Sequence, residues 1–263
     1  MDTVPVPIKT VFDVFAAAEH AALKLKCRPW WRGQGDIEWR LQPAIYREDC
    51  GPGYEQNIAN LFKARAPARY EKSPAHDDLA RWLFLMQHYR LPTRLLDWTE
   101  SVFVAVFFAV TDCPSRAGAL WALNPYALSQ SQTGCSVVFN PRGENLGNMF
   151  SAAFREVPQP DDALALALPI WPEEIDFRMV VQHSAFTIHG HPNPLEDLAC
   201  ARNCVRKYEI PSEAKPDLRH QLDTLGFRES TLFPDLENLA KSLASQRTSP
   251  PSSSGCTDAA DGS

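Results

Sequence analysis

A single α+β domain, with a mixed sheet flanked by helices, is the fold that this sequence predicts. Apolar residues recur every three or four positions over residues 9–26, a pattern typical of an amphipathic helix. Shorter extended stretches, such as residues 118–123 and 205–210, lie between the helical ones. Because the two kinds of segment are intermixed along the chain, the class is α+β or mixed α/β, and we take α+β as the prediction.

In the first third of the chain, proline and glycine mark the element boundaries. Pro29 ends the first helical pattern, and residues 30–34 are predicted as a short strand that Gly35 closes. Residues 39–45 are predicted as a second extended segment. Two amphipathic helices follow, over residues 54–66 and 77–89.

From residue 94 onward, the predicted elements are less regular. A strand is expected over residues 94–98, and Thr99 or Ser101 is placed to cap a helix over residues 101–111. Residues 124–172 are rich in loop-forming residues and receive no assigned element. The other expected elements are strands at 118–123, in the second half of 177–188 and at 205–210, and helices at 216–225 and 234–245.

Composition changes at the end of the chain. We expect residues 1–247 to form the domain and residues 248–263, which are mostly Ser, Pro, Gly, Thr and Asp, to form a disordered tail. The longest uninterrupted apolar run, residues 102–110, is about half of what a bilayer requires. The chain has seven cysteines without a C-x-x-C pair, and its first residues lack a signal-peptide core. These features predict a cytoplasmic protein that does not enter membranes.

The charge balance limits the partners. Lys plus Arg number 26 and Asp plus Glu number 32, for a net charge of −6. This mild acidity argues against broad nonspecific binding of nucleic acid, although it leaves a local basic groove open. We therefore expect a nucleotide or protein substrate, with nucleic acid disfavoured but not excluded.

Charged and amide side chains interrupt two otherwise apolar stretches, residues 30–35 and 87–110. A plain core would not need such groups there, so we expect them to converge on one polar pocket. Its predicted members are Arg32, Gln34, His88, Arg94, Asp97 and Gln182. Within it, Arg32 and Asp97 are predicted to lie side by side on neighbouring strands.

Five motifs of this chain resemble those of the FRG domain family, which is named for an aromatic-Arg-Gly motif. They occur in the family's order and span roughly residues 10–245. They are Trp31-Arg32-Gly33, WRLQPAIYRE (39–48), QHYRLPTRLLDWTESVFVAVFFAV (87–110), QHSAFTIHG (182–190) and STLFPDLENLAKSL (230–243). One departure is Arg90, where the family usually has Gly, and it leaves open whether the backbone there keeps the shape that Gly favours.

These motifs are in turn similar to the site-forming strands of ADP-ribosyltransferases, and the similarity implies NAD as cofactor. It implies catalytic roles for Arg32, Asp97 and Gln182. It implies cofactor binding by Arg32, Gly33, Gln34, His88, Arg94 and Thr99. Gln182 stands where those enzymes carry a Glu that stabilises the ribose cation, so Asp97, Glu100 or Glu229 would have to supply that charge.

Two classes of function therefore stay open, besides a third, an interaction protein whose pocket is structural. The first is an ADP-ribosyltransferase or NAD glycohydrolase that acts as a toxin or defence effector. The second is a noncatalytic module that recognises a nucleotide, a nucleic-acid end or a protein. Structural roles are alternatives for single residues: a buried ion pair for Arg32 with Asp97, a core or capping role for His88, and helix capping for Thr99.

Several other chemistries lack their motifs. The chain has no P-loop, no H-E-x-x-H and no G-x-S-x-G. Glu38 stands where a dinucleotide fingerprint begun by Gly33 and Gly35 would require its third glycine. His189, His191, Cys200 and Cys204 match no standard zinc spacing, so no metal is expected.

Overall fold

Six strands form one sheet in the order β4-β5-β2-β1-β3-β6. They are β1 Trp30–Gln34, β2 Leu95–Thr99, β3 Gly118–Leu123, β4 Ala167–Ile170, β5 Ser184–His189 and β6 Val205–Ile210. All five strand pairs are antiparallel among the residues that the structure, a computed structural model, describes. Those residues are 7–47, 51, 53–143, 146–155 and 166–246, without the side chains of 245 and 246. A single parallel bridge joins Phe139 to Ile170 at the β4 edge.

Helices cover the sheet, so the predicted α+β class is confirmed. They are α1 Val11–Leu25, α2 Tyr54–Arg65, α3 Leu79–His88, α4 Val102–Thr111, α5 Pro125–Thr133, α6 Gly147–Ser151, α7 Phe177–Val181, α8 Ala201–Cys204, α9 Lys215–Thr224, α10 Glu229–Leu232 and α11 Leu236–Gln246. In the described part of the chain, no helix has the length and apolar character needed to cross a membrane. The predicted tail, residues 248–263, lies outside the described residues.

The two central strands barely pair with each other. β1 and β2 share one Cα partnership, Trp31 with Thr99. By contrast, β1 matches β3 over five residues and β2 matches β5 over five. The sheet therefore divides in its middle, and a gap separates β1 from β2 beyond Trp31.

The hydrophobic core follows this division. On one face, α1, α4 and α9 pack on β1, β3 and β6. On the same face of the other half, α2, α3, α6 and α7 pack on β2, β4 and β5. The opposite face carries one continuous cluster that spans both halves and includes Trp30, Trp98 and Trp121. The two halves are thus joined across one face and separate on the other.

Helix α4 sits directly against β1 because two glycines make room for it. A Cβ at Gly33 would lie 1.8 Å from the Ala105 carbonyl oxygen, and one at Gly35 would lie 2.5 Å from the Asp112 Cβ. Ser101 begins this helix, since its Oγ accepts from the Val104 amide at 3.5 Å. Of the two predicted caps, Ser101 is thus the one used.

Residues 39–45 form no strand, which corrects the prediction of an extended segment. The segment runs into a 3-10 turn over Ala44–Tyr46. Pro43 has no amide hydrogen to give to a sheet ladder. The Leu41 amide instead donates to the Glu196 carboxylate at 3.1 and 3.2 Å, which fastens the segment to a loop outside the sheet. Within residues 124–172, which sequence left unassigned, the described part contains α5, α6 and β4.

Candidate functional site

A cleft of about 480 Å³ opens where β1 and β2 separate. Its walls are β1 on one side, β2 with the start of β5 on the other, and α4 behind. The polar side chains that line it are Arg32, Gln34, Arg47, Gln87, Arg90, Asp97, Thr99, Asp112, Arg178, Gln182 and Ser184. Trp31, Trp39, Trp98 and Phe108 supply its aromatic walls. The cleft thus combines charge with stacking surface in one place.

Arg32 reaches across the gap toward β2. Its Nη1 donates to the Asp97 carbonyl oxygen at 2.7 Å and lies 3.7 Å from Asp97 Oδ2. The prediction that these two residues lie side by side is therefore confirmed. The pair is not buried throughout, however, because the Asp97 side chain is 53% exposed and that of Arg32 is 16% exposed. Arg32 Nε is buried and has no hydrogen-bond partner among the described residues.

Burial leaves the guanidinium charge of Arg32 poorly compensated. Desolvation lowers the pKa of Arg32 to about 10, and the nearby Arg47 adds to this, while Asp97 acts against both. Desolvation likewise lowers the pKa of Arg47 and of Arg178, again with Asp97 opposing it. One carboxylate thus faces three partly dehydrated arginines.

The charge of the cleft is positive although the chain is acidic. Its described lining holds four arginines, at 32, 47, 90 and 178, against Asp97 and Asp112. Arg90 adopts a φ of 63°, in the left-handed region that glycine tolerates best. The backbone at this departure from the FRG pattern therefore has the shape that favours Gly, and the arginine adds a cation at the cleft.

Asp97 is held on its other side by a glutamine. Gln87 Nε2 lies 2.9 Å from both carboxylate oxygens of Asp97 and donates toward them. The orientation of Gln87 is fixed in turn, because the Thr93 hydroxyl donates to its Oε1. This chain of contacts keeps the carboxylate at the mouth of the cleft, where it stays open to solvent.

Two predicted residues line the cleft with their polar groups already in use. Gln182 Nε2 donates to the Leu232 carbonyl oxygen at 2.9 Å. The Thr99 hydroxyl donates to the Gln182 carbonyl oxygen at 2.6 Å and accepts from the Ser101 amide at 3.0 Å. The Thr99 side chain therefore ties β2 to the end of α7, and the Gln182 side chain ties the end of α7 to the last residue of α10.

Gln34 and Gly33 also belong to the cleft lining, with structural tasks of their own. Gln34 Oε1 accepts from Trp121 Nε1 at 2.8 Å, and its Nε2 donates to the Arg40 carbonyl oxygen at 3.2 Å. Gly33 leaves the space into which the α4 backbone fits. Within the aromatic-Arg-Gly motif, the glycine thus allows α4 to form the back of the cleft, and the arginine supplies a positive charge.

Arg94 lies outside the cleft. Its Nε and Nη2 donate to the two Glu55 carboxylate oxygens at 2.9 and 2.5 Å, and its Nη1 donates to the Met149 carbonyl oxygen at 3.3 Å. Its side chain is 5% exposed and that of Glu55 is 8% exposed. All three nitrogens therefore have protein partners, which leaves none free for a cofactor.

His88 lies beside the cleft rather than in it. It lines a small cavity of about 50 Å³ together with Asp97, Arg178 and Gln182, which also belong to the cleft. Its Nδ1 contacts Asp176 Oδ2. His88 also borders a larger groove of about 880 Å³ between α3, α7 and the segment before α11.

Six polar residues of the cleft lining were missed by sequence reasoning: Arg47, Gln87, Arg90, Asp112, Arg178 and Ser184. The first three stand inside the motifs at 39–48 and 87–110, so their position was a usable signal. Arg178 has no such signal, because it comes to the cleft on α7 through the path of the chain. Glu229 borders the larger groove, and neither it nor Glu100 lines the cleft, so Asp97 is the one of the three predicted carboxylates found there.

Among the residues that the structure describes, no three His, Cys, Asp or Glu side chains come together as a metal site.

Residues 28–117 match the family model of the FRG domain. The match covers β1, β2 and α4, and hence Arg32 and Asp97, while the motifs at 182–190 and 230–243 lie beyond it. No curated protein and no solved structure matches the chain.

Proposed function

We propose that this chain, which carries an FRG domain over residues 28–117, binds an NAD-type dinucleotide in the cleft and cleaves its nicotinamide–ribose bond. The observation that carries the proposal is the charge of the cleft: four arginines against two aspartates, in a chain of net charge −6. A pyrophosphate supplies the anionic oxygens that such guanidinium groups bind best. Dehydrated, undercompensated arginines gain the most from such a ligand.

The size and walls of the cleft support a nucleotide over a simple anion. A volume of about 480 Å³ falls in the range of small-molecule and cofactor sites. Trp39, 41% exposed, and Phe108 offer aromatic surface beside the arginines. Bases and the nicotinamide ring stack on such surfaces, which adds about 1–3 kcal/mol per base in known nucleic-acid complexes.

Asp97 would supply the negative charge that the reaction needs. Cleavage at the anomeric carbon develops positive charge on the ribose, which a nearby carboxylate stabilises. Asp97 is oriented by Gln87 and remains exposed to the cleft. Gln182 has no charge and its amide is bonded to Leu232, so we assign it a positioning role in place of a catalytic one.

A second candidate is a noncatalytic module that recognises the same nucleotide. The observation that favours it is the identity of the carboxylates, because no glutamate is among the described residues that line the cleft. Asp97 is one methylene shorter than the Glu that the resemblance implies. Such a module would bind NAD and leave its glycosidic bond intact.

Calorimetric titration with NAD tests binding, and mass spectrometry of released nicotinamide tests cleavage. Arg32→Lys keeps the charge but loses the planar fork. We expect it to weaken NAD binding by on the order of tenfold or more, because a hydrogen bond to a charged group contributes about 1.5–3 kcal/mol. Arg202→Lys, an exposed position on α8, is the matched control and should bind as the wild type does.

Each outcome separates the candidates. Binding with nicotinamide release supports the enzyme, and binding without release supports the recognition module. Equal affinities for wild type and Arg32→Lys would remove Arg32 from the ligand site. An absence of NAD binding to the wild-type protein would overturn the proposal as a whole.

A further inference from the structure

A histidine–aspartate pair lies beside the cleft without a task in the proposal so far. His88 is the last residue of α3, and Asp176 is the residue that caps α7. His88 Nδ1 contacts Asp176 Oδ2, an oxygen with no hydrogen-bond partner among the described residues. Both side chains are 26% exposed. The Asp176 carboxylate thus lies against His88 Nδ1, and no hydrogen bond among the described residues uses His88 Nε2.

The space next to this pair suits a water molecule. The cavity of about 50 Å³ has His88, Asp97, Arg178 and Gln182 in its walls. A water molecule occupies roughly 30 Å³ in the liquid and needs two to four polar partners when buried. The cavity meets both requirements, and the last three residues also line the cleft. A water held there would lie between the imidazole and the carboxylate that faces the cleft.

We propose that His88, oriented by Asp176, is the general base that activates a water in this cavity for attack on the ribose, so that the reaction is hydrolysis rather than transfer to a protein. This inference rests on the proposed function, since it assumes NAD in the cleft. His88 is the catalytic residue because it touches the attacking water, and Asp176 is the positioning residue.

The step balances without any further reactant. The water oxygen forms a bond to the anomeric carbon, and one water proton passes to His88 Nε2. The bond from that carbon to the pyridinium nitrogen breaks, and its electron pair stays on the nitrogen, which leaves as neutral nicotinamide. His88 then gives its proton to solvent. The products are ADP-ribose, nicotinamide and one proton.

The electrostatics of His88 suit this role. Desolvation lowers the pKa of His88 from its ordinary value, and Arg178 lowers it further, while Asp176 and Asp235 raise it. The imidazole is therefore neutral near pH 7 and able to accept a proton. Asp97, which faces the same cavity, stays available to stabilise the ribose.

The test compares His88→Gln and Asp176→Asn with wild type, with His220→Gln, an exposed position on α9, as the matched control. For His88→Gln we expect NAD affinity within about threefold of wild type and nicotinamide release reduced on the order of 100-fold, the lower end of what a general base contributes. Asp176→Asn keeps the helix cap, because Asn caps as well as Asp. We expect about tenfold slower release from it, within the loss typical of an outer-shell partner.

The pH profile distinguishes a base from a structural residue. In the wild type, release should fall as pH drops through the pKa of His88, because protonation removes the base. Asp176→Asn should move this acid limb to lower pH, since Asp176 raises that pKa. His88→Gln should lack the limb. Circular dichroism of each variant verifies that it is folded, and Asp176→Asn carries the test if His88→Gln is not.

The outcomes separate the two proposals. If the wild type neither binds NAD nor releases nicotinamide, both fail. If it binds NAD without release, the hydrolytic base is excluded while the binding proposal stands. If the wild type releases nicotinamide and folded His88→Gln does so at the same rate, only the assignment of His88 is overturned.

Discussion

Two arginine–carboxylate pairs lie in the central part of this domain, and they differ in almost every physical respect. Arg94 and Glu55 form a bidentate pair that is nearly inaccessible to water. Arg32 and Asp97 are 3.7 Å apart, and the aspartate is half exposed. In the first pair the donors are used up by protein. In the second, one donor is unpartnered and the carboxylate faces solvent.

The comparison shows how to separate a structural arginine from one available to a ligand. Both residues stand at or beside central strands, and both were predicted to bind the cofactor. What separates them is the partner: Arg94 binds both oxygens of a glutamate from α2, whereas Arg32 donates to a backbone carbonyl and lies 3.7 Å from a carboxylate oxygen. An arginine is available for a ligand when some of its guanidinium nitrogens lack a protein partner and a cleft lies beside them, whatever its sequence context.

The largest effect is expected at the buried pair. Glu55→Gln leaves the Arg94 charge buried without its counter-charge, so we expect the free energy of unfolding to fall by about 3–5 kcal/mol. Urea denaturation followed by tryptophan fluorescence measures this. Asp97→Asn is the matched control in the exposed pair. A loss below about 1 kcal/mol for Glu55→Gln would erase the distinction between the two pairs, because that is the range of exposed ones.

Asp97→Asn should show the reverse pattern. Its exposed carboxylate adds little to folding, so we expect the free energy of unfolding to change by less than about 1 kcal/mol. Nicotinamide release should fall on the order of 100-fold, because the amide cannot stabilise the positive ribose. The measurements are denaturation and mass-spectrometric detection of nicotinamide. A variant that kept the wild-type rate of release would argue that Asp97 only positions Arg32.

The smallest effects are expected at Arg90, where substitution by glycine should raise stability and weaken NAD binding. Its left-handed backbone costs a non-glycine residue on the order of 1 kcal/mol, so Arg90→Gly should raise the free energy of unfolding by up to about that amount. NAD affinity should weaken several-fold, because the cleft loses one cation. Thermal denaturation and calorimetry measure the two quantities.

Lys26→Gly is the control, because it relieves a left-handed backbone away from the cleft. Lys26 has a φ of 55° at the end of α1 and is not among the residues lining the cleft. It should raise stability in the same way and leave NAD affinity unchanged. If Arg90→Gly and Lys26→Gly affect NAD affinity equally, Arg90 has no part in the ligand site.

Sequence reasoning located local features well. The strands at 118–123 and 205–210 were predicted with their observed bounds, because their apolar patterns end at clear breaks. The neighbouring position of Arg32 and Asp97 was also predicted, since two charges inside apolar strands require nearby compensation. In the strands a few adjacent residues determine the outcome, whereas the Arg32–Asp97 pair joins residues that are 65 positions apart but each carry a visible signal.

Contacts with distant residues that carry no such signal were not accessible. No residue near Arg94 in the sequence indicates that its guanidinium group binds Glu55, which is 39 positions away. The glycine of the aromatic-Arg-Gly motif was expected to admit a ligand, but its size is required first by Ala105 of α4. Residues 39–45 fit a strand pattern, but the Leu41 amide donates to Glu196 instead of to a neighbouring strand. In each case the deciding partner comes from a separate part of the chain.

The single pairing between β1 and β2 also has a mechanical consequence. Backbone amides at this seam lack the ladder bonds that protect their neighbours, so they should exchange with deuterium faster than those between β1 and β3. The two halves of the sheet share a core on one face only, so they can move apart slightly while the tryptophan-rich cluster on that face keeps them joined. A ligand held by Arg32 on one side and Asp97 on the other would bridge them. Binding would then also stiffen the sheet, because the ligand spans the place where the backbone network is thinnest.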